Sequence, residues 1–223
     1  MPMFAPGFFF RMSSELLQTI AKTEGMELLL ESAIRHVTLL YEEHWEPDLC
    51  YHDLNHTVNV ADRAESMIQH FRFGQTQQLI IRLAAWFHDI GHLFGGPKGH
   101  ERRSVELMEE FLLANQCPQL VIQHVATCIL STKSTGSPVS LPEKIICDAN
   151  QFHFGTVSFF ESDEKLRKEL QSRNDEIIRD WDINTLAMLT RHRFQTIYCR
   201  ERLDAGKAHN ISLLRLRLAQ KSN

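Results

Sequence analysis

Residues 79–92, LIIRLAAWFHDIGH, join a nearly continuous apolar run to an adjacent His-Asp pair. A helix that is apolar on most sides is buried, so we expect 79–87 to form a helix at the centre of the core. A carboxylate at the end of a buried run is costly unless a cation neutralises it, and Asp89 stands at that position. The stretch therefore predicts a metal site at the end of a buried helix. The alternative is a His-Asp pair that is hydrogen-bonded to nearby backbone.

Apolar residues keep helical spacing through most of the remaining chain. The pattern predicts helices at 27–45, from Thr57 as N-cap to about 74, at 105–115, at 121–132, and from about Asp204 to the end. The segment 131–143, STKSTGSPVSLPE, is predicted to be a loop. Sustained strand alternation is not found, which favours an all-α fold class and a single helical bundle. We expect residues 1–26 to form an N-terminal tail and short helix, and 27–223 to form the domain.

The composition is that of one globular domain. The 223 residues are 43% hydrophobic and 23% charged, and the formal net charge of -4 gives no general basis for binding duplex nucleic acid. Five scattered cysteines argue against a disulfide framework or a thiolate zinc site. No stretch reaches the ~18 apolar residues that a membrane span needs, so we expect a cytoplasmic protein without membrane contact.

A second histidine-rich segment, YHDLNHTVNV at 51–60, lies upstream of this run. His52 and His56 are four residues apart, so on a helix both imidazoles can reach one small object. Taken alone, this spacing is more typical of surface or packed histidines than of metal ligands. Its weight changes when it is considered together with His88 and Asp89.

Together these segments resemble the HD superfamily of metal-dependent phosphohydrolases. The resemblance rests on the order His56, then His88-Asp89, then a later Asp in an apolar helix, Asp148. YHDLNHTVNV is similar to the YHNxxHxxDV segment of cyclic-nucleotide phosphodiesterases, and HDIGH has the HDxxH form found there and in the deoxynucleotide triphosphohydrolases. A small bacterial branch with NExxS, TK and DADLxxLG segments has counterparts in HERRS at 100–104, ILSTK at 129–133 and DANQFHFG at 148–155.

The resemblance implies an HD-domain helical bundle with one divalent cation as cofactor, whether Zn, Mn, Mg, Fe, Co or Ni. The implied metal ligands are His56, His88, Asp89 and Asp148. By the same resemblance, His52 would donate a proton to the leaving oxygen. The chain departs from these patterns at three positions, which are Asp53 in place of Asn, Asn59 in place of a small residue, and Asn150 in place of a second Asp.

Three further residues are candidates for catalysis or phosphate binding. A carboxylate can orient the attacking water, and Glu101 is the candidate for this role. His92 is a candidate for contact with a ligand or the phosphate, and a structural histidine is the equal alternative. Lys133 at a helix end can meet an anionic phosphate as a point charge, although a solvated surface lysine is more common.

A two-metal site is the main alternative to a single cation. HD proteins with two metals use an H…HD…H…H…D order, which His100 and His124 can complete, and this group includes di-iron oxygenases. His124 also lies beside an apolar helix face of Val121 and Val125, so a packed histidine is the alternative there. The pattern leaves open whether His100 binds metal or substrate.

We therefore expect metal-activated water to hydrolyse a phosphate mono- or diester. The expected partner is a small phosphorylated molecule such as a nucleotide. The alternatives are a di-iron HD-domain oxygenase and a non-catalytic module that senses nucleotides. The last helix can pack within the domain or across a homodimer, and its periodicity does not separate the two.

Overall fold

The computed structural model describes residues 14–133, 136–173 and 179–221. These residues form nine α-helices and two short 3₁₀ helices without any strand, which confirms the all-α fold class. None of the described helices is long and apolar enough to span a membrane. Most of the predicted N-terminal tail lies outside the described residues. The α-helices are α1 (Ser14–His44), α2 (Leu54–Phe71), α3 (Gln75–Phe87), α4 (His100–Ala114), α5 (Gln119–Ser131), α6 (Leu141–Asn150), α7 (Phe159–Arg173), α8 (Trp181–Arg191) and α9 (Ile197–Lys221), and the 3₁₀ helices are Ile90–Phe94 and Phe152–Gly155.

Helix α3 lies at the centre of the core, as its apolar sequence predicts. Four other helices, α1, α2, α5 and α6, pack around it. Each fully buried leucine or isoleucine in such a position contributes roughly 1.5–3 kcal/mol. Because α3 is enclosed, His88 and Asp89 at its C-terminal end are held at a buried position. The buried residues of α3 are Leu79, Ile80, Ile81, Leu83, Ala84, Ala85 and Phe87.

The start of α2 differs from the prediction that Thr57 is its N-cap. The cap is Asp53, whose side chain accepts a hydrogen bond of 2.8 Å from the His56 backbone N–H. Thr57 lies inside the helix, where its hydroxyl forms a buried hydrogen bond with the Tyr41 hydroxyl at 2.9 Å. The Thr57 prediction was wrong because an aspartate and a threonine near a helix start are both good caps, and only the fold decides between them. His52 therefore precedes the helix, and His56 lies in its first turn.

Three other helix starts also lie earlier than predicted. Helix α6 begins at Leu141 within the predicted loop, because Ser140 and Glu143 form a reciprocal capping box. Helix α9 begins at Ile197 and not near Asp204. Helix α1 begins at Ser14, so the expected boundary between residues 26 and 27 falls inside a continuous helix.

Two glycines allow the Phe152–Gly155 turn to lie directly on α9. An added Cβ at Gly206 would lie 2.0 Å from the Gly155 carbonyl oxygen, and one at Gly155 would lie 2.5 Å from the Leu203 Cβ. Side chains larger than hydrogen are therefore excluded at this crossing. The contact fixes the turn that follows α6, and His153 in that turn borders the site described below.

We expect Gly206→Ala to destabilise the protein, because the new methyl group meets backbone that has little freedom to move. The free energy of unfolding should fall by about 1–3 kcal/mol, measured by urea denaturation. Gly25→Ala is the matched control, since Gly25 is an exposed residue of α1 with nothing within 4 Å of an added Cβ. This control should gain roughly 0.5–1 kcal/mol from helix propensity. Equal effects of the two substitutions would contradict the close packing.

Candidate metal centre

A buried carboxylate, that of Asp89, lies at the centre of a group of imidazole rings. Its Oδ2 atom is 2.9 Å from His88 Nε2, 3.3 Å from His56 Nε2 and 3.9 Å from His52 Nε2. Its Oδ1 atom is 3.4 Å from His100 Nε2. These rings come from the segment before α2, from α2, from the end of α3 and from the start of α4. The fold thus brings together polar atoms that the sequence separates widely.

Hydrogen bonds to backbone carbonyls fix the orientation of two of these rings. His88 Nδ1 donates to the Ala85 carbonyl at 2.8 Å, and His100 Nδ1 donates to the Pro97 carbonyl at 2.7 Å. Because a carbonyl only accepts, each Nδ1 carries a hydrogen, and in the neutral ring each Nε2 presents a lone pair toward Asp89. Among the described residues, the Asp89 Oδ2 atom has no hydrogen-bond partner. Lone pairs that face a buried carboxylate repel it, and a cation between them removes that repulsion.

Two groups of three side chains have the composition of a metal site, and both contain Asp89. Within each group the ligand atoms lie within 4.8 Å of one another. Imidazole nitrogen with carboxylate oxygen suits zinc, manganese and iron. The residues of the centre therefore fit a divalent cation. The first group is His56, His88 and Asp89, and the second is Asp89, His92 and His100.

The electrostatics of Asp89 favour the anion despite its burial. Burial alone would raise the pKa of Asp89, but the neighbouring His88 and hydrogen bonds from His100 and His56 hold it well below its usual range. Burial alone would lower the pKa of His100, yet its interaction with Asp89 raises it. Asp89 is therefore negatively charged at neutral pH.

His52 is held by a residue that the sequence analysis missed, Glu169 on α7. The His52 ring Nδ1 pairs with the Glu169 carboxylate, which also accepts the backbone N–H groups of Tyr51 at 2.7 Å and His52 at 2.9 Å. Burial alone would raise the pKa of Glu169, but these hydrogen bonds and the His52 ring lower it. Glu169 is fully buried and 117 positions from His52, so no local sequence signal marks the pair. His52 is thereby fixed with Nε2 toward Asp89.

His92 lies between two other histidine rings. It stacks on His52 with ring centroids 3.8 Å apart and on His100 at 4.0 Å. Burial and the nearby His52 lower the pKa of His92 far below its usual value, so the ring is neutral. Both of its nitrogens are buried without a hydrogen-bond partner in the described part of the chain. Such atoms are destabilising unless something binds them, which makes His92 an available ligand.

Gly91 lets α4 approach the turn that follows Asp89. A Cβ at this position would lie 2.1 Å from the His100 carbonyl oxygen. Hydrogen bonds hold the contact, since the Gly91 N–H donates to the Ser104 hydroxyl at 2.9 Å and Arg103 Nε donates to the Gly91 carbonyl at 2.9 Å. The same approach places Glu101 Oε1 3.7 Å from His100 Nε2. Two side chains of α4 are thereby positioned at the centre.

Asp148 lies outside the cluster, although the family resemblance implies that it is a ligand. Its Oδ1 accepts the Gln195 backbone N–H at 2.7 Å, and its Oδ2 accepts the backbone N–H and the hydroxyl of Thr196, both at 2.7 Å. The Thr196 hydroxyl in turn accepts the Cys199 N–H at 3.2 Å. Asp148 thus satisfies the first N–H groups of α9, which a carboxylate does well.

Two other predicted residues also lie apart from the cluster. His124 is exposed on α5, because Val121, Val125 and Cys128 form the buried face of that helix. Lys133, just after α5, is exposed and borders a different cavity. The histidine partner for Asp89 that the two-metal pattern needs is therefore supplied in this structure by His92 beside His100.

A cavity of about 310 Å³ opens beside His56. Asn150, Asn59 and His153 line it, and so does Arg63, whose guanidinium lies 4.7 Å from the centre of the Phe152 ring. Among the described residues that line it, none is acidic. A cavity with a cation and no carboxylate is suited to an anionic small molecule.

Comparison with known proteins gives one match. A family model described as HD domain matches residues 53–184, which include His56, the His88-Asp89 pair and Glu169. No curated protein and no solved structure matches the chain.

We expect Asp89→Asn and Asp148→Asn to have opposite effects on metal content and stability. Asp89→Asn removes the charge common to both ligand groups, so bound metal should fall to near zero by elemental analysis. Asp148→Asn should retain the metal but lower the free energy of unfolding by about 1–3 kcal/mol, because an amide satisfies the α9 donors less well. Loss of metal from folded Asp148→Asn protein would show instead that Asp148 is a ligand.

Proposed function

The chain belongs to the HD-domain family, and we propose that it is a metal-dependent phosphohydrolase that acts on a small phosphate ester such as a nucleotide. The observation that carries the proposal is the convergence of His56 and His88 Nε2 on the buried Asp89 carboxylate. A divalent cation bound there would polarise a phosphoryl oxygen and lower the pKa of water from ~15.7 toward ~7. We propose His56, His88 and Asp89 as its ligands.

His52 and Glu169 have the arrangement of a proton donor and its positioning residue. The Glu169 carboxylate fixes the hydrogen on His52 Nδ1 and stabilises a positive charge on the ring. A proton on His52 Nε2 then faces the centre, with that atom 3.9 Å from Asp89 Oδ2. From this position His52 can protonate the departing oxygen of an ester.

Glu101 supplies a second acid-base group on the α4 side of the centre. Its carboxylate lies beside His100, and its side chain is only 13% exposed. A carboxylate at this position can accept a hydrogen bond from the attacking water and orient it. His52 and Glu101 thus divide the proton-donating and water-orienting roles that hydrolysis needs.

The cavity beside His56 is our proposed site for the organic part of the substrate. Arg63 can bind a second anionic group, and the Phe152 ring beneath it offers a flat apolar surface. His153 and Asn150 offer neutral polar contacts, since burial lowers the pKa of His153 to about 3. A small polar molecule with more than one anionic group matches this lining.

One observation favours a second function, that of a di-iron oxygenase. The group of Asp89, His92 and His100 lies directly beside the first ligand group, and both include Asp89. Two adjacent cations bridged by a carboxylate are compatible with hydrolysis and with oxygen chemistry. The assay below separates the two functions.

Metal-loaded protein should hydrolyse bis-p-nitrophenyl phosphate, measured by release of p-nitrophenolate. Asp89→Ala should abolish this turnover because it removes the residue common to both ligand groups. Asp62→Ala is the control, since Asp62 is an exposed carboxylate of α2, and its activity should match that of the wild type. Absence of turnover on this compound and on a nucleotide panel at full metal occupancy would contradict the proposal. Oxygen consumption by the iron-loaded protein would then support the second function.

Glu169→Gln should reduce turnover most for substrates whose leaving group needs a proton. For a nucleotide ester with an alkoxide leaving group we expect kcat to fall about 10²–10⁴-fold, but for bis-p-nitrophenyl phosphate less than about tenfold, as general-acid catalysis predicts. His52→Asn should give the same pattern.

Glu164→Gln, an exposed position of the same helix, is the control for this comparison and should leave both rates unchanged. An equal loss of rate on both substrates would show that Glu169 only supports the fold.

A further inference from the structure

A second and larger cavity, of about 620 Å³, lies on a different face of α6 from the cavity beside His56. Cys147 and Gln151 of α6 line it, whereas Ala149 and Asn150 line the first cavity. The rest of its wall comes from the end of α5, the end of α8 and the 192–195 segment that leads into α9. The two cavities are therefore separated by the body of α6.

The charge around this second cavity is of one sign. Lys133, Arg191 and Arg193 line it, and no carboxylate does so among the described residues. Arg193 is fixed by hydrogen bonds of 2.8 Å to the carbonyls of Thr190 and His192. In the described chain, the side chains of Lys133 and Arg191 have no hydrogen bond or ion pair. Like charges that converge on one cavity repel each other unless an anion lies between them.

His192 adds a hydrogen-bond donor without an acceptor. Its Nδ1 atom lies 3.4 Å from the Lys207 ammonium, which only donates, so Nδ1 accepts and Nε2 carries the hydrogen. Burial and the charge of Lys207 lower the pKa of His192 to about 4, which keeps the ring neutral at pH 7. Within the described residues the buried Nε2 atom has no partner. This donor lacks the acceptor that an anionic oxygen would provide.

We propose that the second cavity binds a small polyanion with the chemistry of a triphosphate, at a site separate from the metal centre. Lysine and arginine are the side chains that bind phosphate oxygens best, and a buried N–H adds direction to the charge. The cavity volume exceeds that of the first cavity and accommodates several phosphate groups. It also gives Lys133, which the sequence analysis singled out for phosphate binding, an anion partner away from the metal.

The test is isothermal titration of inorganic triphosphate into the full chain in EDTA at physiological salt, where no metal contributes to binding. The wild type should bind one equivalent. Removing two of the three cations in the double variant Lys133→Gln/Arg191→Gln should weaken binding at least about tenfold, the equivalent of about 1.4 kcal/mol. Circular dichroism and thermal melting establish that each variant is folded.

A matched control removes the same two charges elsewhere. Arg102→Gln/Lys168→Gln changes two exposed cations on α4 and α7, and it should leave the dissociation constant unchanged. Equal weakening in both double variants would mean nonspecific attraction and would overturn the proposal, as would no binding by the wild type.

Two further titrations locate the site and the source of the anion. Asp89→Asn should bind triphosphate as the wild type does, and loss of binding in this variant would place the anion at the metal centre and overturn the proposal. A nucleoside triphosphate should compete with inorganic triphosphate. Tighter binding of the nucleotide would assign the site to a nucleotide, and equal binding would assign it to the phosphate chain alone. Because no step measures hydrolysis, the outcome is independent of the proposed enzymatic function.

Discussion

The burial of the Asp89 carboxylate is the constraint on which the candidate site depends. Helix α3 is the most enclosed element of the core, and its C-terminal end leaves this charge 1% exposed. A single buried anion is strongly destabilising unless it is neutralised or coordinated. The surrounding histidines answer this requirement, because backbone carbonyls or Glu169 hold three of the rings with Nε2 toward the carboxylate. The same arrangement that stabilises the anion makes it a ligand.

Helix α7 is the main support of the centre although it provides none of the proposed metal ligands. Glu169 holds the segment before α2 through His52 and Tyr51. Arg173, one turn later, donates 2.9 Å hydrogen bonds to the carbonyls of His92 and Gly95 and pairs with Asp48 at 3.1 Å. One helix therefore fixes both the histidine before α2 and the turn after α3. Outer contacts of this kind normally orient metal ligands and tune their basicity.

The sequence predicted best what is encoded locally. The burial of α3 and the position of the His88-Asp89 pair follow from one short apolar run, and both are found. Glu169 was not predicted because its partner is 117 positions away. The position of Asp148 was also beyond reach, since its hydrogen-bond partners begin 47 residues later at the start of α9. Motif order identifies residue types, but only the tertiary packing determines which way a buried carboxylate faces.

The separation of Asp148 from the cluster has an electrostatic consequence. The first ligand group contains one carboxylate, and the nearest residue of α6 in the adjoining cavity is the neutral pair Ala149 and Asn150. The charge of Glu169 is balanced locally by the His52 ring and two backbone N–H groups. A divalent cation held by a single carboxylate keeps a net positive charge, which the low-dielectric surroundings of α3 screen poorly. The centre is therefore better suited to attract an anionic phosphate than one with two carboxylate ligands, and Arg63 extends the same sign of charge along the cavity.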